Sequence, residues 1–160
     1  MPNVREKPNP AAGQGEERRR YVDDTGQMFA RYGAALTVGR LFGLLLVSDD
    51  PLSLDDIAIQ LRVSKSSASV AARDLERLGV ARRQHTPGSR RVLYTVNEQM
   101  DPTFEAALTR IRDGLVMVRR GEPVVGEGKA KDRLRLMAEF YEFWLEETVR
   151  VAERWKQRRT

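Results

Sequence analysis

Residues 53–96 read SLDDIAIQLRVSKSSASVAARDLERLGVARRQHTPGSRRVLYTV, and the fold follows from this stretch. Ile57, Ala58 and Leu61 recur at helical spacing, so Leu54–Leu61 is predicted as a short amphipathic helix. Ser53 begins it as an N-cap, with Asp56 three residues on as a capping-box-like partner. Arg62–Val63–Ser64 makes a tight turn, and Ser64 caps a second helix over Lys65–Leu78 that Gly79 stops. With Ala68 facing inward, Ala71, Ala72, Leu75 and Leu78 share its side. Ser66, Ser69, Val70, Arg73 and Arg77 then face outward, with Lys65 at the first turn. Val80–Val96 holds two short β-like runs around Pro87-Gly88, studded with arginine. Helix, turn, helix and basic hairpin in that order is a winged helix-turn-helix, whose second helix can enter a major groove.

Charge supports that direction. From Ile57 to Asn97, eight basic residues (Arg62, Lys65, Arg73, Arg77, Arg82, Arg83, Arg90, Arg91) face only Asp74 and Glu76. The segment therefore carries +6 in a chain of net charge +5, and the remaining residues net −1. Charge focused on one module suits a polyanionic partner better than it suits general solubility. Arginine also suits a narrow minor groove, where negative potential concentrates, so Arg90 or Arg91 is expected to anchor the wing there or on phosphate. Strand alternation sends Arg82 and Arg83 to opposite faces, so only one of them is expected to see phosphate. His85 reads as a surface residue of the wing.

Outward from this core, Met1–Glu17 holds three prolines and two glycines and reads as a disordered arm. A helix is expected from about Arg18, with Tyr21, Val22, Thr25, Met28, Phe29 and Tyr32 at helical spacing and a stop at Gly33. Leu36–Val47 is apolar on nearly all sides, a central buried helix ended by Ser48-Asp-Asp-Pro51. Asp101-Pro102 reads as cap and first helical position of a helix to about Arg120. After a loop over Gly121–Gly128, Lys129–Arg158 forms a last helix of roughly eight turns. Its apolar positions Leu134, Met137, Tyr141, Trp144, Leu145, Thr148, Val151, Ala152 and Trp155 make one stripe, widened by Phe140 and Phe143. So broad a face needs more partner surface than a small wing domain offers. The expected division is an arm (1–17), dimerisation and core helices (18–47), a DNA-binding winged helix (48–98) and C-terminal dimerisation helices (101–160). The expected class is mainly α with a small β-wing.

Gly39-Arg-Leu-Phe-Gly-Leu-Leu-Leu-Val-Ser-Asp, Leu52-Ser-Leu-Asp-Asp-Ile-Ala, Val63-Ser-Lys-Ser-Ser-Ala-Ser and Pro87-Gly-Ser-Arg-Arg together resemble the GbsR-type branch of the MarR-like transcriptional regulators. That resemblance spans about residues 20–155. It implies a bacterial homodimer with paired recognition helices in successive major grooves of a pseudo-palindromic operator. It also implies that Ser64–Ser69 is the recognition-helix N-terminus and that Arg90 or Arg91 is the wing-tip arginine. The DNA-facing set is thus Ser64, Lys65, Ser66, Ser67, Ser69, Val70, Arg73, Arg77, Arg90 and Arg91. Members of the branch sense small cationic osmolytes such as choline, and aromatic rings bind quaternary ammonium groups through cation–π attraction. Phe29, Tyr32, Phe140, Tyr141 and Trp144 are the rings that could line such an effector pocket, although aromatics at helical spacing more often serve core or interface.

Other classes find little support. Without cysteine there is no disulfide and no thiolate metal site, and one histidine gives little for a metal sensor. No cofactor is expected. Gly126-Glu-Gly-Lys129 is not a phosphate loop, because Pro123 and Ala130 stand where that motif needs glycine and a hydroxyl. The adjacent pairs Asp55-Asp56 and Glu146-Glu147 diverge around a helix, so an enzyme is not expected. Leu41–Val47 is far short of the roughly 20 residues of a membrane span, and the polar N-terminus argues for a cytoplasmic protein. A homodimeric sequence-specific repressor, modulated by a small-molecule effector, is the expectation. The alternative is a winged-helix protein-interaction or architectural DNA-binding module without effector.

Overall fold

The computed structural model describes residues 10–85, 88 and 91–159. Helices α1 (Pro10–Arg31) and α2 (Leu36–Leu46) precede β1 (Leu52–Ser53), α3 (Leu54–Leu61) and α4 (Lys65–Arg77). Strands β2 (Ala81–His85) and β3 (Val92–Val96) follow, then α5 (Asp101–Gly121), a 3-10 turn (Glu122–Val124) and α6 (Lys129–Arg159). The chain divides into two compact units that meet in sequence at Asn97 and Glu98.

In the first unit, α2 supplies the centre of the core. Val38, Leu41, Leu44 and Leu45 are buried with Ile57 and Leu61 of α3 and with Ala68, Ala71, Ala72 and Leu75 of α4. The hydrophobic faces expected for α3 and α4 are the faces that are buried. Helices α1 and α2 approach closely because small residues line their contact. A Cβ on Gly39 would stand 2.5 Å from Phe29 Cβ, and one on Gly43 would stand 2.9 Å from Thr25 Cβ. Val22 and Thr25 of α1 are buried there, and Phe29 packs its ring 5.6 Å from Phe42. The sheet is antiparallel in the order β1-β3-β2, with Ala81 opposite Val96 and His85 opposite Val92. Buried Asn97 closes it: its side-chain amide donates to Gly79 O at 3.1 Å and its backbone N–H to Val80 O at 2.9 Å. This is a winged helix.

The second unit is an antiparallel helical pair. Contact runs from Gly121 against Leu134, through Gly114 against Tyr141, to Asp101, whose carboxylate lies 3.8 Å from Lys156 Nζ. Leu108 and Ile111 of α5 and Ala138 and Ala152 of α6 are its buried apolar side chains among the described residues.

Three expectations need correction. Helix α1 begins at Pro10, so residues 10–17 of the expected arm are helical, while residues 1–9 lie outside the described residues. Proline is well suited to a first helical turn, whose N–H groups have no partner anyway, and alanine and glutamate after it favour helix. Of the residues at helical spacing on this helix, Val22 and Thr25 are buried whereas Tyr21, Met28 and Tyr32 are exposed. Asp101 is already helical and Met100 is the N-cap, with no side-chain capping bond, so the start lies one residue earlier than its sequence signature. The stripe on α6 splits. Leu134, Tyr141 and Ala152, joined by Ala138 from outside the stripe, serve the contact with α5, whereas Met137, Phe140, Phe143, Trp144, Val151 and Trp155 stay exposed. No described helix is long and apolar enough to cross a membrane.

Candidate nucleic-acid interface

The turn before α4 is held by its own backbone and caps. Ser53 accepts from Asp56 N–H while the Asp56 carboxylate accepts from the Ser53 N–H at 3.0 Å, closing a full capping box on α3. Those bonds hold the Asp56 carboxyl below the usual aspartate range, led by the Ser53 hydroxyl, with a small contribution from the Arg91 charge. At the other end of α3, Arg62 adopts a left-handed conformation, φ 55°, which turns the chain into α4. Arg40 of α2 braces this corner: its Nη1 donates to Leu61 O at 3.1 Å, and its Nε lies 2.8 Å from Asp23 of α1. The latter geometry is an ion pair and not a hydrogen bond. An arginine inside the apolar run of α2 is the sequence signal for such a brace, and reading that helix only as buried misses it.

Ser64 caps α4, accepting from Ser67 N–H at 3.1 Å and sharing hydroxyl contacts with Ser66 and Ser67. Its oxygen is therefore committed to the helix start. With the alanine-rich face buried, Lys65, Ser66, Ser67, Val70, Arg73 and Arg77 are exposed, and Ser69 is half-buried at the edge. Carboxylates partner two of these cations. Lys65 Nζ stands 2.8 Å from Asp55, and Arg77 pairs with Asp74. Arg73 differs: its Nε reaches only Ser69 O at 3.4 Å, and no carboxylate pairs with it among the described residues.

The wing continues this surface. Arg83 Nε lies 2.6 Å from Glu76, which raises the guanidinium pKa further and draws the side chain toward α4. Val70, Arg73, Asp74, Glu76, Arg77 and Arg83 together line an open depression of about 590 Å³. Arg82 projects from the other face of β2 and is exposed, with no ion pair among the described residues. Arg91 is exposed immediately before β3. Arg90 lies outside the described residues. His85 ends β2 and is exposed. These ion pairs all reach solvent, where pairing of opposite charges contributes little, so a polyanion can displace the carboxylates at little cost.

The five aromatic rings do not form one box within either unit. Phe29 belongs to the α1–α2 core, and Tyr32 is 86% exposed. Phe140, Tyr141 and Trp144 cluster in the second unit with ring centroids 5.8 to 6.2 Å apart. Tyr141 is seated on Gly114, where an added Cβ would stand 2.6 Å from its ring.

Comparison with known proteins adds to both units. Residues 100–158, the α5–α6 pair, match the family model described as MmpR5-like MarR family transcriptional regulator. A crystal structure of a transcriptional regulator superposes with a TM-score of 0.79 at 24% identity, covering 88% of this chain and 99% of its own. A mutant of S. aureus MepR bound to an oligodeoxyribonucleotide aligns at TM-score 0.42 and 20% identity, over 84% of this chain and 93% of its own. A Thermotoga maritima transcriptional regulator aligns at 0.41 and 20%, over 91% and 95%. No curated protein matches the chain.

Proposed function

We propose that this chain is a MarR-family transcriptional regulator, a homodimer that binds double-stranded DNA at a pseudo-palindromic operator and acts most simply as a repressor. The observation carrying the proposal is the outer face of α4. On a helix whose apolar side is buried, the exposed side presents short polar groups at its capped N-terminal end and arginines beyond, beside a wing bearing Arg82, Arg83 and Arg91. Short side chains let the helix approach base edges, and flanking cations hold phosphates. The family match falls on α5–α6, apart from this face, so the two lines of support are independent. Assignment to the GbsR-type branch rests on the motifs of residues 39–94 alone.

Dimerisation is supported by α6, where Phe140, Phe143, Trp144, Val151 and Trp155 leave large apolar surface exposed. A two-fold pair would present two α4 helices to grooves about one helical turn apart. An effector that alters their separation would release DNA, and Tyr141 and Trp144 are the rings to test for its site.

Fluorescence anisotropy tests the proposal, using the full chain against DNA from its own upstream region and scrambled DNA of equal length. The expected result is preferential binding of the native DNA at two protomers per site, falling steeply with salt. Salt-dependent binding without preference for this or any selected sequence would favour an architectural module. No binding at low salt would favour a protein-interaction module.

A further inference from the structure

We infer that Val70 reads a thymine methyl group, so that each half of the operator carries an essential thymine facing the middle of α4. The inference rests on the DNA-binding reading above and adds to it which base the helix selects. At 100° per residue, the buried Ala68, Ala71, Ala72 and Leu75 define the inner line of α4. Ser66, Val70, Arg73 and Arg77 fall within roughly 30° of the line opposite. Val70 thus lies midway along the length of the outward face, and it is 50% exposed. Among the described residues between Leu54 and Val96, the other large apolar side chain so exposed is Ile59, which lies on α3. Valine is also a mediocre helix former, so its presence on a polar face is not explained by local propensity.

Its neighbours make the contact geometrically accessible. Ser66 precedes it by one turn and Ser69 is adjacent, both short, so the backbone can come close enough for a side chain of valine's length. Arg73, one turn beyond, is long enough to reach a neighbouring base or phosphate from the same approach. A valine pressed against a major-groove edge meets purine acceptors, amino donors, the thymine O4 or the thymine methyl. Covering the polar groups would strip their water with nothing to replace it, which is costly. The thymine methyl offers the largest apolar surface on that edge, against a single C–H at the same position of cytosine, so the ridge discriminates in favour of thymine there.

The test is a deoxyuridine scan. The preferred operator is first selected from random duplex DNA with the full chain, and each thymine is then replaced in turn by deoxyuridine, which removes the one methyl. Anisotropy should show one thymine per half-site whose replacement weakens binding about fourfold, and more than tenfold when both are replaced. Val70→Ala should bind the parent operator more weakly and become indifferent to that replacement. The scan on the unaltered protein needs no variant, and circular dichroism of Val70→Ala checks its fold. If a preferred operator exists but every deoxyuridine is silent, Val70 does not read thymine although the chain is still a sequence-specific DNA binder. Retention of full deoxyuridine sensitivity by a folded Val70→Ala would equally overturn the inference. If selection enriches no sequence, the inference and the DNA-binding reading fall together.

Discussion

Among the cations of α4, Arg73 is the one that can meet DNA without first leaving a carboxylate, since Lys65 is paired with Asp55 and Arg77 with Asp74. Arg73→Ala is therefore expected to weaken operator binding by about 1–3 kcal/mol if it contacts a base. Lys129→Ala, at the start of α6, should change binding far less in the same anisotropy titration. Equal losses would sink the assignment of this face. Glycines give a second residue-scale contrast. Gly39→Ala forces a Cβ to within 2.8 Å of both the Phe29 ring and the Thr25 carbonyl oxygen, and overpacking of this kind costs about 1–3 kcal/mol. Gly15, also helical, has nothing within 4 Å, so Gly15→Ala should be stabilising by up to about 1 kcal/mol. Urea melts of the two variants should thus move in opposite directions. Both residues are glycines inside helices, and sequence spacing does not distinguish them, because the difference lies in which neighbouring chain comes close.

Elements bounded by local chemistry are legible in the sequence alone. The capping box on α3, the Ser64 cap, the Gly79 stop and the inward alanines of α4 depend on residues within four or five positions of one another. The start of α1 departs from expectation because Pro10 opens a helix there, and proline breaks helices only further in. The Asp56 cap carries a pH signature. Its carboxyl is more acidic in the folded chain than in the unfolded one. The unfolded chain therefore takes up the proton first as pH falls. The stabilisation is complete above roughly pH 4, the ordinary aspartate value, and is lost below it as pH falls through the folded value. Asp56→Asn should lower the urea midpoint at pH 7 and narrow its gap from the parent protein at pH 3. A gap that stays constant from pH 7 to pH 3 would show that the ionised carboxylate contributes nothing to the cap.

For the whole molecule, the exposed apolar ridge of α6 predicts self-association. Sedimentation equilibrium should give twice the 18.2 kDa chain mass at micromolar concentration. Replacing Trp144 and Phe140 by glutamate should shift the population toward monomer, and thermal melting of the parent should rise with protein concentration. A monomer at all concentrations would leave the ridge without its proposed partner. The order helix-turn-helix-wing, the buried faces of α3 and α4 and the focus of positive charge were determined by the sequence itself. Periodicity, caps and turns act over a few residues, and charge is additive along a chain. Only the tertiary structure decided which arginines are paired and that Arg40 braces the turn ahead of α4. It also decided that α6 divides its apolar residues between α5 and solvent. Each depends on distances between residues remote in sequence, set by how closely helices pack, and helical spacing alone carries no record of them.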